Sequence, residues 1–230
     1  MNSQQTVGQL VTERPSRSRV FAKHGIDFCC GGGRSLSDAC SAKGLEVDAL
    51  IAELEAAEAP AEGAQNFGEM TLTALTEHLV STHHAYLKSE LPRLRDMVHK
   101  VSRVHGDKDA RLGQLVPVFD AFFMDMLPHL DKEEMILFPT IRDMEAGRDG
   151  GQCFSHISAP ISVMESEHDH VGHLLVKMRE LCADYVIPEA ACNTWRAMLD
   201  GLQELEADTH QHVHLENNIL HTRALKLADA

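Results

Sequence analysis

Four long stretches of the chain repeat apolar residues at alternating spacings of three and four, over about 70–104, 110–145, 160–186 and 189–226. This is the spacing at which a helix buries one face against its neighbours in a bundle. No period-two alternation, which would indicate half-buried strands, is present. Short connections make consecutive helices antiparallel. The pattern therefore predicts an all-α fold whose main domain is an up-down-up-down four-helix bundle.

A smaller module precedes these stretches. Residues 1–58 contain shorter helical patterns, interrupted by the sequence FCCGGGRS. One short helix is predicted to end at Gly44, because glycine commonly terminates helices. Residues 59–69 have the composition of a linker. We therefore predict a small N-terminal helical domain with a Cys-Cys motif (1–58), a linker (59–69) and the four-helix bundle (70–228).

The apolar seams of the bundle are interrupted only by histidine and glutamate. The interrupting residues are His84, His129, Glu133, His168, His212 and Glu216. A single histidine on an apolar face is usually a hydrogen-bonded core residue. A buried glutamate is harder to explain, because an unpaired carboxylate is costly to bury and normally shifts its pKa or binds a metal. The set therefore predicts a shared metal site.

Other histidines of this His-rich chain fall beside the seams and are predicted to lie on helix flanks or in solvent. They are His83, His170, His173, His210 and His214.

The six seam residues are too many for one metal ion and too few to saturate two. Two histidines per ion and two bridging carboxylates give four ligands each, and an oxo or hydroxo bridge adds a fifth. Nitrogen and carboxylate donors with open positions suit iron, although ligand type alone leaves manganese and zinc open. We therefore predict two non-haem iron ions, with bridging oxygen and carboxylate groups, in a hemerythrin-like centre.

Charge and composition limit the classes of partner and the cellular location that can be expected for the protein. The net charge of −14 disfavours nucleic acid and anionic membranes as partners, since both attract basic surfaces. The first residues lack the apolar core of a signal peptide, and no apolar run is long enough to span a membrane. The six cysteines are therefore expected to be reduced thiols in a cytoplasmic protein.

The adjacent cysteines Cys29 and Cys30 form the second chemical feature. Three glycines follow them and are expected to adopt unusual backbone angles that leave the thiols accessible. The thiols could cycle redox state, pass iron, or complete a ligand set across a homodimer. The remaining cysteines are interpreted as structural: Cys40, Cys153, Cys182 and Cys192. Glu134 and Glu167, beside predicted ligands, are candidates for proton relay.

Several motifs together resemble those of the iron–sulfur cluster repair di-iron proteins. They are HLDKEEMILFP from His129, MESEHD around His168, HVHLENNIL from His212 and DFCCGGGRSL near the amino terminus. This resemblance implies that the six seam residues are iron ligands. Two departures stand out: Pro128 precedes His129, and His221-Thr222 stands where the family commonly has Phe-Pro.

The resemblance also implies a function. The family is implicated in restoring iron–sulfur clusters damaged by nitric oxide or oxidants, and in reacting with nitric oxide. The expected partners are therefore nitric oxide or another small diatomic and damaged iron–sulfur proteins. A reversible carrier or sensor of nitric oxide or oxygen is the main alternative, and a di-iron oxidase or peroxidase is a third. Whether nitric oxide is turned over, as by a reductase, stays open.

Overall fold

The computed structural model describes residues 1–57, 66–148 and 156–229. Within these ranges the chain is helical, and its only β feature is an isolated bridge between Thr6 and Ser35. The all-α prediction is confirmed. The first four helices are α1 (Val7–Glu13), α2 (Ser18–Lys23), α3 (Leu36–Lys43) and α4 (Val47–Ala56). The later helices are α5 (Leu72–Leu79), α6 (Ala85–His105), α7 (Arg111–Lys132), α8 (Phe138–Glu145), α9 (Ser158–Leu181), α10 (Asn193–Leu215) and α11 (Thr222–Ala228).

The chain divides into two compact units. One comprises Met1–Thr76 with His210–Ala230, and the other comprises Glu77–Thr209. The second unit has a core of apolar residues from α6, α7, α9 and the beginning of α10. All four predicted stretches therefore contribute to one core. The helices pack there as the seam pattern predicts, with α7 lying against both α6 and α9.

Three of the four stretches contain a π-helical segment at a predicted ligand. These segments are π1 (Val80–His84), π2 (Glu133–Leu137) and π3 (Glu216–His221). A π turn holds an extra residue, so the buried face shifts by one position along the helix. Ile136, which an α-helical spacing of three from Glu133 would place on the buried face, is 47 % exposed, whereas Leu137 is buried. In the second stretch the α-helical spacing therefore includes the predicted ligands His129 and Glu133 but fails at the next position of the buried face.

Two helix ends differ from the prediction. The third stretch ends at Leu181 rather than 186, because Ala183, Asp184 and Tyr185 have φ angles of 48°, 54° and 62°. Three consecutive left-handed residues cannot continue a right-handed helix. The fourth stretch begins at Asn193 rather than 189.

The N-terminal helices begin and end with recognisable local signals. Thr6 caps α1 in a capping box with Gln9, and Ser35 caps α3. Gly44 ends α3 with a left-handed φ of 65°, as predicted. The apolar core of this unit includes Val213 from the C-terminal segment. Residues 210–230 therefore share a core with the N-terminal helices, a grouping that the domain prediction does not include.

The linker prediction falls mainly on residues 58–65, outside the described ranges, as does Cys153. Among the described helices, none is long and apolar enough to cross a membrane.

Candidate metal centre

Glu133 is a buried carboxylate that lies within 4 Å of three predicted ligands in the unit Glu77–Thr209. Its Oε1 lies 3.3 Å from Nε2 of His129 and 3.9 Å from Nε2 of His168. Its Oε2 lies 3.5 Å from Nε2 of His84. The side chain is fully buried, and neither oxygen accepts a hydrogen bond from a described residue. Such a carboxylate is costly to bury, and a cation between it and the imidazole nitrogens would remove that cost.

His129 and His168 hold their ring nitrogens at the spacing of two ligands on one ion. Their Nε2 atoms are 3.0 Å apart, and both side chains are almost completely buried. Two nitrogens that each lie about 2.1 Å from one ion at a right angle are separated by about 3.0 Å. The ligand atoms of these two histidines and Glu133 all lie within 4.8 Å of one another. The three residues therefore have donor types and spacing suited to a cation.

Glu134 orients the His84 ring from its outer side. Nδ1 of His84 lies 2.8 Å from Oε1 of Glu134, and both oxygens of that carboxylate accept hydrogen bonds from Lys88. The ring also stacks on Phe138, with centroids 5.5 Å apart. An ionised carboxylate only accepts, so Nδ1 must donate. The lone pair of Nε2 is then directed towards Glu133, which is the tautomer that a metal ligand needs.

Glu167 orients the His129 ring in the same way. Nδ1 of His129 lies 2.9 Å from Oε2 of Glu167, whose other oxygen accepts a hydrogen bond from Lys132. Two of the histidines therefore show the same arrangement, in which a carboxylate held by a lysine fixes the imidazole. Carboxylate–histidine pairs of this kind are typical of metal sites.

The pKa values of Glu134 and Glu167 are both lowered. Partial burial opposes ionisation of each carboxyl, but hydrogen bonds from the lysine and the histidine outweigh it. Both groups therefore stay ionised at neutral pH, as a fixed hydrogen-bond acceptor for Nδ1 requires.

His212 and Glu216 lie in the other compact unit, on α10 and at the start of π3. Nε2 of His212 is 2.9 Å from Oε1 of Glu216, and both side chains are fully buried. The spacing of four places them on one helix face, as the sequence predicts. This pair repeats the arrangement of His129 and Glu133.

Cys29, Cys30 and Asp27 form a third cluster, with ligand atoms within 4.8 Å of one another. Sγ of Cys29 lies 3.2 Å from Oδ1 of Asp27 and 3.9 Å from Sγ of Cys30. The hydrogen bond with Cys30, followed by burial and the Asp27 charge, raises the pKa of the Cys29 thiol well above its usual value. The prediction that both thiols are accessible is wrong for Cys29, which is 5 % exposed. Cys30 is half-buried.

The cysteine loop is anchored on the C-terminal segment of the same unit. Nδ2 of Asn218 donates to the carbonyl oxygen of Cys29 at 3.0 Å. A Cβ atom on Gly32 would lie 2.4 Å from Oδ1 of Asn218, and one on Gly8 would lie 2.3 Å from it. Gly31, Gly32 and Gly33 do not have positive φ angles, so the expected unusual backbone is absent. Gly32 is required for close approach instead, because a Cβ atom there would also lie 2.7 Å from the backbone oxygen of Phe28.

Comparison with known proteins matches both parts of the chain. The hemerythrin HHE cation-binding domain matches residues 75–224, and a domain of unknown function, ScdA_N (DUF542), matches residues 3–58. The iron–sulfur cluster repair protein YtfE of Yersinia pseudotuberculosis serotype O:1b (strain IP 31758) is 39% identical over 222 residues. That alignment covers 96% of this chain and 97% of the relative. YtfE of Yersinia pestis (strain Pestoides F) matches equally well.

The chain belongs to the iron–sulfur cluster repair family. In this family member the hemerythrin match includes all six predicted metal ligands, and the N-terminal match includes Cys29 and Cys30. The hemerythrin-like fold class is confirmed, and the bundle is a cation-binding domain of the hemerythrin type.

The structure also corrects the prediction for two flanking histidines of this family member. His83 is 5 % exposed, and its Nδ1 lies 2.8 Å from Oδ1 of Asp208. His214 is 1 % exposed, and burial lowers its pKa to about 4, so it is neutral. It contacts Thr12 and the carbonyl oxygen of Phe28. The prediction that these two histidines lie on helix flanks or in solvent is wrong, because both are buried. His170 and His173 are exposed, as predicted.

Proposed function

We propose that this protein restores iron–sulfur clusters damaged by nitrosative or oxidative stress, using a non-haem di-iron centre. The proposed ligands are His84, His129, Glu133, His168, His212 and Glu216. The family relatives carry iron–sulfur cluster repair in their names. The observation that supports the metal centre most strongly is the fully buried Glu133 carboxylate, within 4 Å of three imidazole nitrogens.

Glu133 supports two ion positions rather than one. Its Oε1 is the oxygen near His129 and His168, while its Oε2 is the oxygen near His84. A carboxylate with one oxygen for each ion is the usual bridge in two-metal sites, where the ions are about 3.5–4 Å apart. The residues present therefore fit a pair of ions bridged by Glu133.

His212 and Glu216 are proposed to complete the set. They repeat the spacing and full burial of His129 and Glu133, and they fall within the same hemerythrin match. With them, the chain would offer each ion two histidines and a share of two carboxylates. Iron bound in this donor set would supply redox chemistry and open coordination positions for a diatomic ligand.

The protein's own residues prepare the site for this chemistry. Glu134 and Glu167 hold two imidazoles in the tautomer whose Nε2 lone pair faces inward. Burial of Glu133 and of the three histidines around it excludes water and keeps the donors from being solvated. The lowered pKa values of Glu134 and Glu167 favour this orienting role over proton relay.

The Cys29–Cys30 pair favours repair over simple carriage of nitric oxide or oxygen. A carrier of the hemerythrin type needs only the metal centre, whereas this chain has two thiols 3.9 Å apart with a carboxylate beside them. We propose that these thiols take part in repair, by thiol redox chemistry or by passing iron. A homodimer would be one way to complete a ligand set around them.

The direct test is reactivation of a purified iron–sulfur dehydratase that nitric oxide has inactivated. Iron-loaded full-length protein should restore its activity, and the Cys29→Ala/Cys30→Ala variant should restore less while keeping its iron. A matched Cys40→Ala variant should behave as the wild type. Equal repair by the wild type and the double variant would remove the thiols from the proposal. No reactivation by iron-loaded wild type would remove repair itself.

Substitution Glu167→Gln should weaken metal binding without removing a ligand. The amide can still accept from Nδ1 of His129 but no longer carries the charge that makes Nε2 a stronger donor. Loss of such a partner typically lowers metal affinity 10–100-fold, so a drop of about this size is expected in competitive chelator titrations. The exposed Asp169→Asn change is the matched control. An unchanged affinity in Glu167→Gln would contradict the orienting role.

Nitric oxide should bind the reduced, iron-loaded protein far better than the oxidised protein. Ferrous iron held by the six proposed ligands would supply electron density to nitric oxide and would keep coordination positions open. Anaerobic titration followed by visible absorption and electron paramagnetic resonance should show a new signal in the wild type. The signal should disappear in His168→Ala and persist in the exposed-histidine control His173→Ala. Reduced protein with full iron and no signal would exclude nitric oxide from the proposed function.

A further inference from the structure

A cysteine–histidine pair lies at the far end of α6 from the proposed metal ligands. Nε2 of His105 is 3.2 Å from Sγ of Cys192. His105 ends α6, whereas His84 precedes its first residue, so the two histidines are separated by about 30 Å along the helix axis. The pair is therefore remote from His84, and neither residue belongs to the proposed ligand set.

His105 is held in place as a buried base. Its side chain is nine-tenths buried, and its ring lies against Trp195 with centroids 5.1 Å apart. Nδ1 makes no hydrogen bond with a described residue, so packing rather than a third polar group orients the ring. A nucleophile within hydrogen-bond reach of an oriented base is the arrangement of activated thiols in proteins.

Cys192 differs in exposure and position from Cys182, the other described cysteine of its unit. Its side chain is exposed, whereas Cys182 is buried and burial raises the pKa of that thiol to about 12. The carbonyl oxygen of Cys192 accepts the backbone N–H of Arg196, which places the cysteine at the N-terminus of α10. Helix N-termini and protonated imidazoles both stabilise a neighbouring negative charge. The interpretation of Cys192 as structural is therefore unsupported by its surroundings.

We propose that Cys192 is a modification site that exchanges with low-molecular-weight disulfides, with His105 as the base. Sγ of Cys192 attacks one sulfur of the small disulfide while its proton passes to Nε2 of His105. The disulfide bond of the small molecule breaks, and a new bond joins Cys192 to one half. The other half leaves as a thiol and takes the proton from His105. Cys192 is oxidised and the small disulfide is reduced, so no further oxidant is needed.

Oxidised glutathione is the probe for the test. Full-length protein is incubated with it anaerobically, quenched with acid and mapped by peptide mass spectrometry. The rate of modification at Cys192 is measured in the folded protein and in urea, where every thiol is exposed and His105 no longer acts. The wild type should react faster folded than unfolded. A folded rate at or below the unfolded rate would overturn the proposal.

Two variants distinguish the loss of His105 as a base from a general change in the protein's structure. His105→Gln should slow modification of folded Cys192 by at least about tenfold, since a positioned base contributes a factor of 10² or more. His99→Gln, an exposed histidine on the same helix, should leave the rate unchanged. If His105→Gln unfolds the protein by circular dichroism, His105→Asn is measured in its place. A folded His105 variant that reacts at the wild-type rate would overturn the proposal.

Discussion

Glu133→Gln is expected to remove bound metal and, in metal-free protein, to raise the melting temperature. The metal-loaded protein would lose the proposed bridging carboxylate, so its metal content should fall from the proposed two ions per chain to fewer than one. In the metal-free protein the same carboxylate is fully buried, and neither oxygen accepts a hydrogen bond among the described residues. An amide of the same shape carries no charge and can donate to the inward Nε2 of a neighbouring histidine.

The expected rise in the melting temperature follows from the free energy that an unsatisfied buried group costs the folded protein. Removing this cost raises the free energy of unfolding by about 1–3 kcal/mol, and by more for a charged group. Each kcal/mol raises the melting temperature of a chain of this size by about 2–4 °C. The measurement is made after chelation of the metal, with the wild type and the variant at the same pH.

Asp131→Asn is the matched control, because this side chain is 70% exposed and lies two residues away on the same helix. It should change neither the metal content nor the melting temperature. A loss of metal together with a rise in the melting temperature of the metal-free protein distinguishes a ligand from a residue that only stabilises the bundle. A Glu133→Gln protein that keeps two ions per chain would contradict the proposed bridge.

The sequence predicts the helices and the candidate donors because both follow from one spacing rule. A helix face repeats every three or four residues, so a polar residue on an apolar face is visible without coordinates. His129 and Glu133 were found in this way, and both are buried. Gly44 was found because left-handed helix ends favour glycine.

The π segments could not be predicted from that rule, because no residue type marks them. Each adds one residue to a turn, so the exposure of Ile136 and the burial of Leu137 depend on backbone geometry that the α-helical spacing does not contain. The burial of His214 could not be predicted from helical spacing for a different reason. It faces Thr12 and Phe28, which are about two hundred positions away in the sequence. Helical spacing carries no information on such contacts.

Deleting residues 1–58 tests how far the bundle depends on the N-terminal helices. None of the six proposed ligands lies in that segment, so sequence alone predicts a folded, iron-loaded remainder. The structure changes this expectation, because Val213 packs in the N-terminal core and Asn218 donates to the carbonyl oxygen of Cys29. Losing the burial of a valine costs up to about 1.5–3 kcal/mol, and each lost hydrogen bond costs about 1 kcal/mol.

The truncated protein should therefore lose order in the segment that carries His212 and Glu216. Amide hydrogen exchange over residues 210–228 should speed up by at least about tenfold, since local protection follows local stability. Metal content should fall with it, because two of the six ligands would no longer be held in a rigid helix. Asn218→Ala in the full-length chain removes one anchor only and should give a smaller effect in the same direction. If the truncated protein keeps both its metal and its protection over residues 210–228, the N-terminal helices serve the chemistry of the cysteines and not the stability of the metal ligands.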